Sequence, residues 1–275
     1  MACVLATELI FGVLAATIGP HPAAQPPSSA AGAPRVLAVG DRTLRMTNLG
    51  GPQSQLVLDR VAADIGQAVD AVDAFWGNDW PRDINVVATG TQWQFEAQAG
   101  GGPAAQWADI AAIAVADRVD LARRSATGQR IVFAPGAAGM REHALRIVLS
   151  HELFHYAARA ATAVDAPRWL TEGVADYVAR PRGELPEVAT PPTSLPSDAD
   201  LAIPGSGRSQ AYDRAWWFAL FIADTRGAPT LRALYQEACG DGHTDLPTAV
   251  HDVLGTDTAG ILADWQRWLT RRPAP

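Results

Sequence analysis

The stretch LSHELFHY, residues 149 to 156, constrains this chain more tightly than any other. It sets two histidines four apart with a glutamate directly after the first. An α-helix turns about 100° per residue, so His151 and His155 stack on one face and can grip one ion together. Glu152 lies about a quarter turn round. There it is too far to be an easy third ligand but placed to reach a water on that ion, which suits a general base. With six His and eight Glu in 275 residues, random placement would produce this pattern in well under about one such chain in a hundred. The helix itself is expected, because residues 141 to 163 contain no Pro, are rich in Ala, Leu, Arg and Glu, and carry apolar Leu145, Val148, Leu149 and Leu153. The plain alternative is a solvated helical face with two unrelated histidines.

A catalytic zinc commonly takes three protein ligands and leaves its fourth position to water, so two histidines need another donor. Downstream, WLTEGVADYVA (residues 169 to 179) supplies a candidate in Glu172. Pro167 can open a second helix, and Leu170, Val174, Tyr177 and Val178 give it an apolar side that can pack back beside the first. Asp176 lies four residues after Glu172, on the same face. There it can accept the outer N–H of one histidine, with His151 the expected partner, and so fix that ring's tautomer. An exposed acidic pair at a helix start is the competing reading.

His-Glu-x-x-His followed by a Glu-Gly-x-Ala-x-Tyr helix resembles the gluzincin metallopeptidases. That group includes thermolysin-like and M1-type aminopeptidase-like enzymes, and its compact single-domain bacterial "peptidase MA-like" members are the nearest match. The resemblance is specific over residues 141 to 179 and only patterned elsewhere. It implies one Zn²⁺ per chain held by His151, His155 and Glu172, with Glu152 as base and Asp176 behind the ligands. It also implies a peptide or protein substrate. The Gly-Ala-Met-Glu-Asn stretch of M1 aminopeptidases is absent from the sequence, so grasp of a substrate N-terminus is not supported.

At 48% apolar and 19% charged, with nine Trp, the chain can bury a sizeable core. All 22 basic residues are Arg. A net charge of −7 without a basic cluster argues against a nucleic-acid partner. Two cysteines, Cys3 and Cys239, build neither a disulfide framework nor a thiolate zinc site.

Residues 1–33 read as a signal-like or disordered leader. An apolar run from Leu9 to Ile18 precedes a Pro- and Ala-rich segment, and Ser29-Ala30-Ala31 offers a cleavage site, yet no basic residue precedes the run and Glu8 sits at its edge. A secreted or cell-envelope protein is the expectation, with a cytoplasmic one the alternative. Ten apolar residues are too few to span a bilayer core of about 30 Å, so no stable membrane span is expected.

Residues 34–275 are expected to form one metallopeptidase-like domain of α+β class. A small mixed sheet in an α/β half, 34–140, leads into a zincin-type active-site helix and a mainly helical C-terminal half, 141–275. Residues 42–48, 83–88, 110–116 and 130–134 read as strands. Helical spacing from Gln53 to Trp76 runs through Leu56, Val57, Val61, Ile65, Val69, Val72 and Phe75, and a short helix containing Trp93 follows. In gluzincins the strand at the cleft edge lies antiparallel to the bound peptide, and the resemblance in element order puts Ala111, Ala112, Ile113 and Ala114 in that role by β-augmentation. An ordinary strand is the other reading. The proline-rich residues 181–207 form either a rim or lid over the site or a plain connector.

Four further helical stretches begin near Tyr212, Pro229, Leu246 and Thr258, with an aromatic stripe read as core. Tyr212 opens the first of them. The resemblance gives it the role of hydrogen-bond donor to the oxyanion, against a purely structural tyrosine. Two functions from different classes follow: a zinc metallopeptidase with Glu152 as general base, or a catalytically silent zincin-fold module that binds zinc and a partner. The presence of Glu152 favours the first.

Overall fold

In the computed structural model the described residues are 33–102, 107, 110–181, 192–202 and 206–271. The leader and Cys3 lie outside them, as do residues 182–191 and 203–205 of the proline-rich stretch. The chain opens with strands β1 (Arg35–Val39) and β2 (Arg42–Asn48), which form an antiparallel hairpin. Its turn is the dipeptide Gly40-Asp41, and Gly40 sits at φ +58°, where a side chain would be strained. Residues 35–39, RVLAV, are a short apolar run with two valines, a signal the strand expectation passes over.

Helix α1 (Pro52–Trp76) follows, then β3 (Asp83–Ala88), α2 (Gln92–Gln98) and β4 (Ala112–Val115). A small hairpin of β5 (Arg118–Asp120) and β6 (Ser125–Thr127) leads into β7 (Arg130–Phe133). The main sheet has the order β1-β2-β3-β7-β4, with parallel pairs in the middle and an antiparallel pair at each side. Strand β4 is therefore an edge, and it is shorter than the expected 110–116. The fold is the mixed α+β architecture expected.

Strand side chains alternate between the two faces of the sheet. Ile84, Val86, Ile131, Phe133, Ala112 and Ala114 belong to the main core, whereas Val87, Val132 and Ile113 pack with Phe95 of α2 and Trp107 on the opposite face. The buried stripe of α1 uses Val57, Leu58, Val61, Ile65, Ala68, Val69 and Val72. Leu56, counted into that stripe from sequence, is exposed. At about 100° per residue it turns away from the face that Val57 and Val61 share.

The remaining chain is helical: α3 (Glu142–Ala158), α4 (Arg168–Ala179), α5 (Asp198–Leu201), α6 (Ser206–Arg226), α7 (Ala228–Cys239), α8 (Leu246–Leu254) and α9 (Thr258–Arg271). Phe75 and Trp76 of α1 meet Phe154 of α3 edge-on, and Trp169, Phe218 and Trp265 tie α4, α6 and α9 together in the same way. One buried apolar cluster thus runs from Leu44 on β2 to Trp265 on α9. Among the described residues no helix is long and apolar enough to cross a membrane.

One buried cation locks the sheet to α1. Arg42, 1% exposed, donates to the carbonyls of Trp80, Pro81 and Asn78 and to Asp73 Oδ1 at 2.9 Å, and its guanidinium lies 3.3 Å from the Trp80 ring centre. Replacing Arg42 with Ala strands these acceptors and is expected to cost about 3 kcal/mol of stability. Denaturant unfolding reads this directly, and a loss under about 1 kcal/mol would show that water substitutes for the guanidinium.

Candidate metal centre

Helix α3 is buried all round its second half: every residue from Leu149 to Ala158 is buried. His151 and His155 are each 3% exposed and Glu152 is 0% exposed, so the solvated-face reading fails. The chain leaves α3 through a 3-10 turn, Arg159–Ala161, and is tied down by Thr162 Oγ1, which donates to the Ala158 carbonyl and lies 2.8 Å from the Tyr235 hydroxyl. It then enters α4, whose first residues have no cap of their own. Asp198, in the described part of the proline-rich stretch, caps them from a distance by accepting the N–H of Trp169 at 2.8 Å and of Arg168 at 3.1 Å.

Glu172 is 0% and Asp176 4% exposed, which also sets aside the exposed acidic pair. The close seat of α4 depends on Gly173. A Cβ there would stand 2.5 Å from the Ala215 carbonyl oxygen of α6, so only glycine lets the two helices approach next to Glu172.

His151, His155 and Glu172 each present one ligand atom, all within 4.8 Å of one another. The two Nε2 atoms are 3.0 Å apart, and Glu172 Oε2 lies 3.2 Å from that of His151 and 3.8 Å from that of His155. A tetrahedral zinc with bonds of about 2.0–2.1 Å holds its donors about 3.3 Å apart, and these separations bracket that value. Neither Glu172 oxygen receives a well-directed hydrogen bond among the described residues. Three carboxylates buried in one place, two ring nitrogens pointed at each other and an under-served carboxylate call for a cation. The donor set, two imidazoles and a carboxylate, is chemically that of a zinc site.

Behind the ligands, Asp176 Oδ1 lies 3.0 Å from His151 Nδ1. Burial disfavours the charged form of His151, but the Asp176 and Glu172 carboxylates beside the ring outweigh it and raise its pKa well above the usual value. Burial likewise opposes ionisation of Glu172, yet the two histidines hold its carboxyl far below the usual range. Asp176 is also lowered, the burial cost being offset by Arg180 and His151.

Glu152 Oε2 accepts the backbone N–H of Ala114 at 2.7 Å, so the edge strand and the motif helix are hooked together at the site. Register explains this contact. Ala111 O accepts the N–H of Ala134 on the far side of β7's Phe133, so Ala111, Ile113 and Val115 turn their backbone groups toward β7, whereas Ala112 and Ala114 turn theirs outward. Ala112, Ile113 and Ala114 are nevertheless buried, and of the four positions only Ala111 is partly exposed.

Tyr212, 3% exposed, accepts a hydrogen bond from Arg168 Nη2 at 3.0 Å, and Arg168 Nε stands 3.6 Å from Glu172 Oε1. Its hydroxyl is therefore one side chain away from the third donor. Tyr177 packs edge-on against Phe75. His243 pairs with Asp165, and His251 is exposed beside Asp252, so neither belongs to the His151 group. The Cys239 thiol is buried, and burial pushes its pKa up. Arg168, Arg180 and Asp198 are unmarked by the sequence reading. The first two continue the four-residue spacing of Glu172 and Asp176 along α4, which is the signal that would have drawn them in.

No family model and no curated protein matches the chain. Solved structures do. One is a two-domain M1 zinc metallopeptidase mutant bound to L-arginine, with TM-score 0.50 and 16% identity over 88% of this chain and 52% of that one. Another is a mutant M1 zinc metallopeptidase from Deinococcus radiodurans, with TM-score 0.41 and 13% identity over the same shares. This chain spans about half the length of either, and the first likeness supports a common fold.

Proposed function

We propose that the chain is a zinc-dependent metallopeptidase that hydrolyses peptide bonds, with His151, His155 and Glu172 holding the metal and Glu152 as general base. The observation that carries this reading is the convergence of those three buried donors, with Glu152 on the same helix as the two histidines. Zinc, when bound, lowers the pKa of water from about 15.7 toward 7 and attracts the negative charge that develops on a carbonyl oxygen. Glu152, held by the Ala114 N–H through Oε2, takes the proton of the attacking water and passes it to the departing amine. Asp176 keeps His151 in the tautomer whose Nε2 faces the pocket. Tyr212, its oxygen engaged by Arg168, is the residue of this chain assigned to donate toward the developing oxyanion. The outward groups of β4 beside Ala114 are assigned to the substrate backbone.

Elemental analysis of the purified protein, paired with cleavage of a broad peptide library, tests the proposal. About one zinc per chain and zinc-dependent cleavage are expected. Protein that binds zinc yet cleaves nothing would instead be a zincin-fold interaction module.

A further inference from the structure

We infer that Arg180 is a positioning residue of the metal centre, acting through Asp176 to fix His151 and anchored on α6 by Asp213. The inference rests on the proposed metal site. Arg168, Glu172, Asp176 and Arg180 succeed one another at four-residue intervals, so one face of α4, continued by the residue that follows its last turn, carries two carboxylates bracketed by two guanidinium groups. The C-terminal member reaches both ways. Arg180 Nη2 lies 2.7 Å from Asp176 Oδ2, and Nη1 donates to Asp213 Oδ1 at 2.8 Å. The guanidinium carbon stands 4.8 Å from the centre of the Trp216 ring, one turn further along α6.

Both oxygens of Asp176 thereby face a partner, Oδ1 the His151 ring at hydrogen-bond distance and Oδ2 the Arg180 guanidinium as an ion pair without a well-directed hydrogen bond. A carboxylate held at one oxygen only is free to rotate and lose its aim. One pinned at both presents Oδ1 to the imidazole in a single orientation, which keeps the proton on Nδ1 and leaves Nε2 as the donor atom. The planar fork is what joins Asp176 to Asp213; a lysine ammonium lacks that two-sided geometry. Arg180 and Asp213 are themselves partly exposed, so their pairing adds little stability in water. Its effect lies in orientation.

Zn²⁺ affinity measured by chelator competition on the full-length protein tests this, with apo-protein thermal unfolding alongside. Arg180→Met and Asp176→Asn are each expected to weaken Zn²⁺ binding about 10- to 100-fold, and Arg180→Lys to recover part of the Arg180→Met loss. Because both act by one route, the double variant Arg180→Met with Asp176→Asn should lose far less than the two single losses combined. A residue with only a structural role would lower the melting temperature and leave Zn²⁺ affinity unchanged. If Arg180→Met does not fold, Asp213→Asn removes the anchor alone and is expected to weaken binding about 3- to 10-fold. Variants within about twofold of the parent, or fully additive losses, overturn the inference while the metal site stands. A parent protein that binds no Zn²⁺ overturns the metal reading and this inference with it.

Discussion

Glu152→Gln protein is expected to keep its fold and its zinc while cleaving peptides about 10²- to 10⁴-fold more slowly than the parent. The expectation follows from what each oxygen of Glu152 does. Oε2 accepts the Ala114 N–H at 2.7 Å, and a glutamine carbonyl can accept the same bond in the same place, so the hook between α3 and the edge strand survives. The amide nitrogen then takes the position of the other oxygen. It can donate but cannot take up a proton, so the base is removed with hardly a change in shape. Glu152 is outside the group whose ligand atoms converge, which is why the metal should remain. Zinc content near one per chain together with a rate equal to the parent's would sink Glu152 as the base. Loss of zinc in this variant would instead make Glu152 a ligand.

The convergence of His151, His155 and Glu172 is legible in the sequence because it rests on two helices, and helical spacing is a local property. Four-residue steps put His151 over His155 on α3 and Glu172 over Asp176 on α4, and Pro167 marks where the second helix begins. The same rule, carried one step in each direction, reaches Arg168 and Arg180, although both look like ordinary surface arginines in a sequence with 22 of them. The hook between Glu152 and Ala114 is of another kind. It joins residues 38 apart, and it depends on which backbone groups of β4 face away from β7, a matter of strand register that no local pattern records. Asp198 capping α4 across 30 residues is equally hidden.

In the sheet, the hairpin of β1 and β2 carries a turn signal at Gly40-Asp41. The strands of the β5 and β6 hairpin are three residues each, too short for alternation to stand out. Leu56 shows the converse error, an apolar residue beside the buried stripe and yet exposed, since one step along a helix is about 100° of rotation.

His155→Ala is expected to abolish stoichiometric zinc and with it all metal-dependent cleavage. Asp176 and Arg180 bear on His151, so the support behind that ring stays in place when His155 is removed. With it gone, a zinc ion has one imidazole and one carboxylate, two donors where a catalytic site commonly has three. Altering a residue behind the ligands costs about 10- to 100-fold in affinity, and removing a ligand itself should exceed that. The ring is buried, so alanine also leaves a cavity beside Phe154, and some stability falls for that reason alone. His155→Gln separates the two effects. It fills most of the volume but offers an amide, a poor zinc donor, so it should restore thermal stability without restoring zinc. Elemental analysis of both variants decides the matter: stoichiometric zinc in His155→Ala would show that the ion, if held by this chain, is held elsewhere.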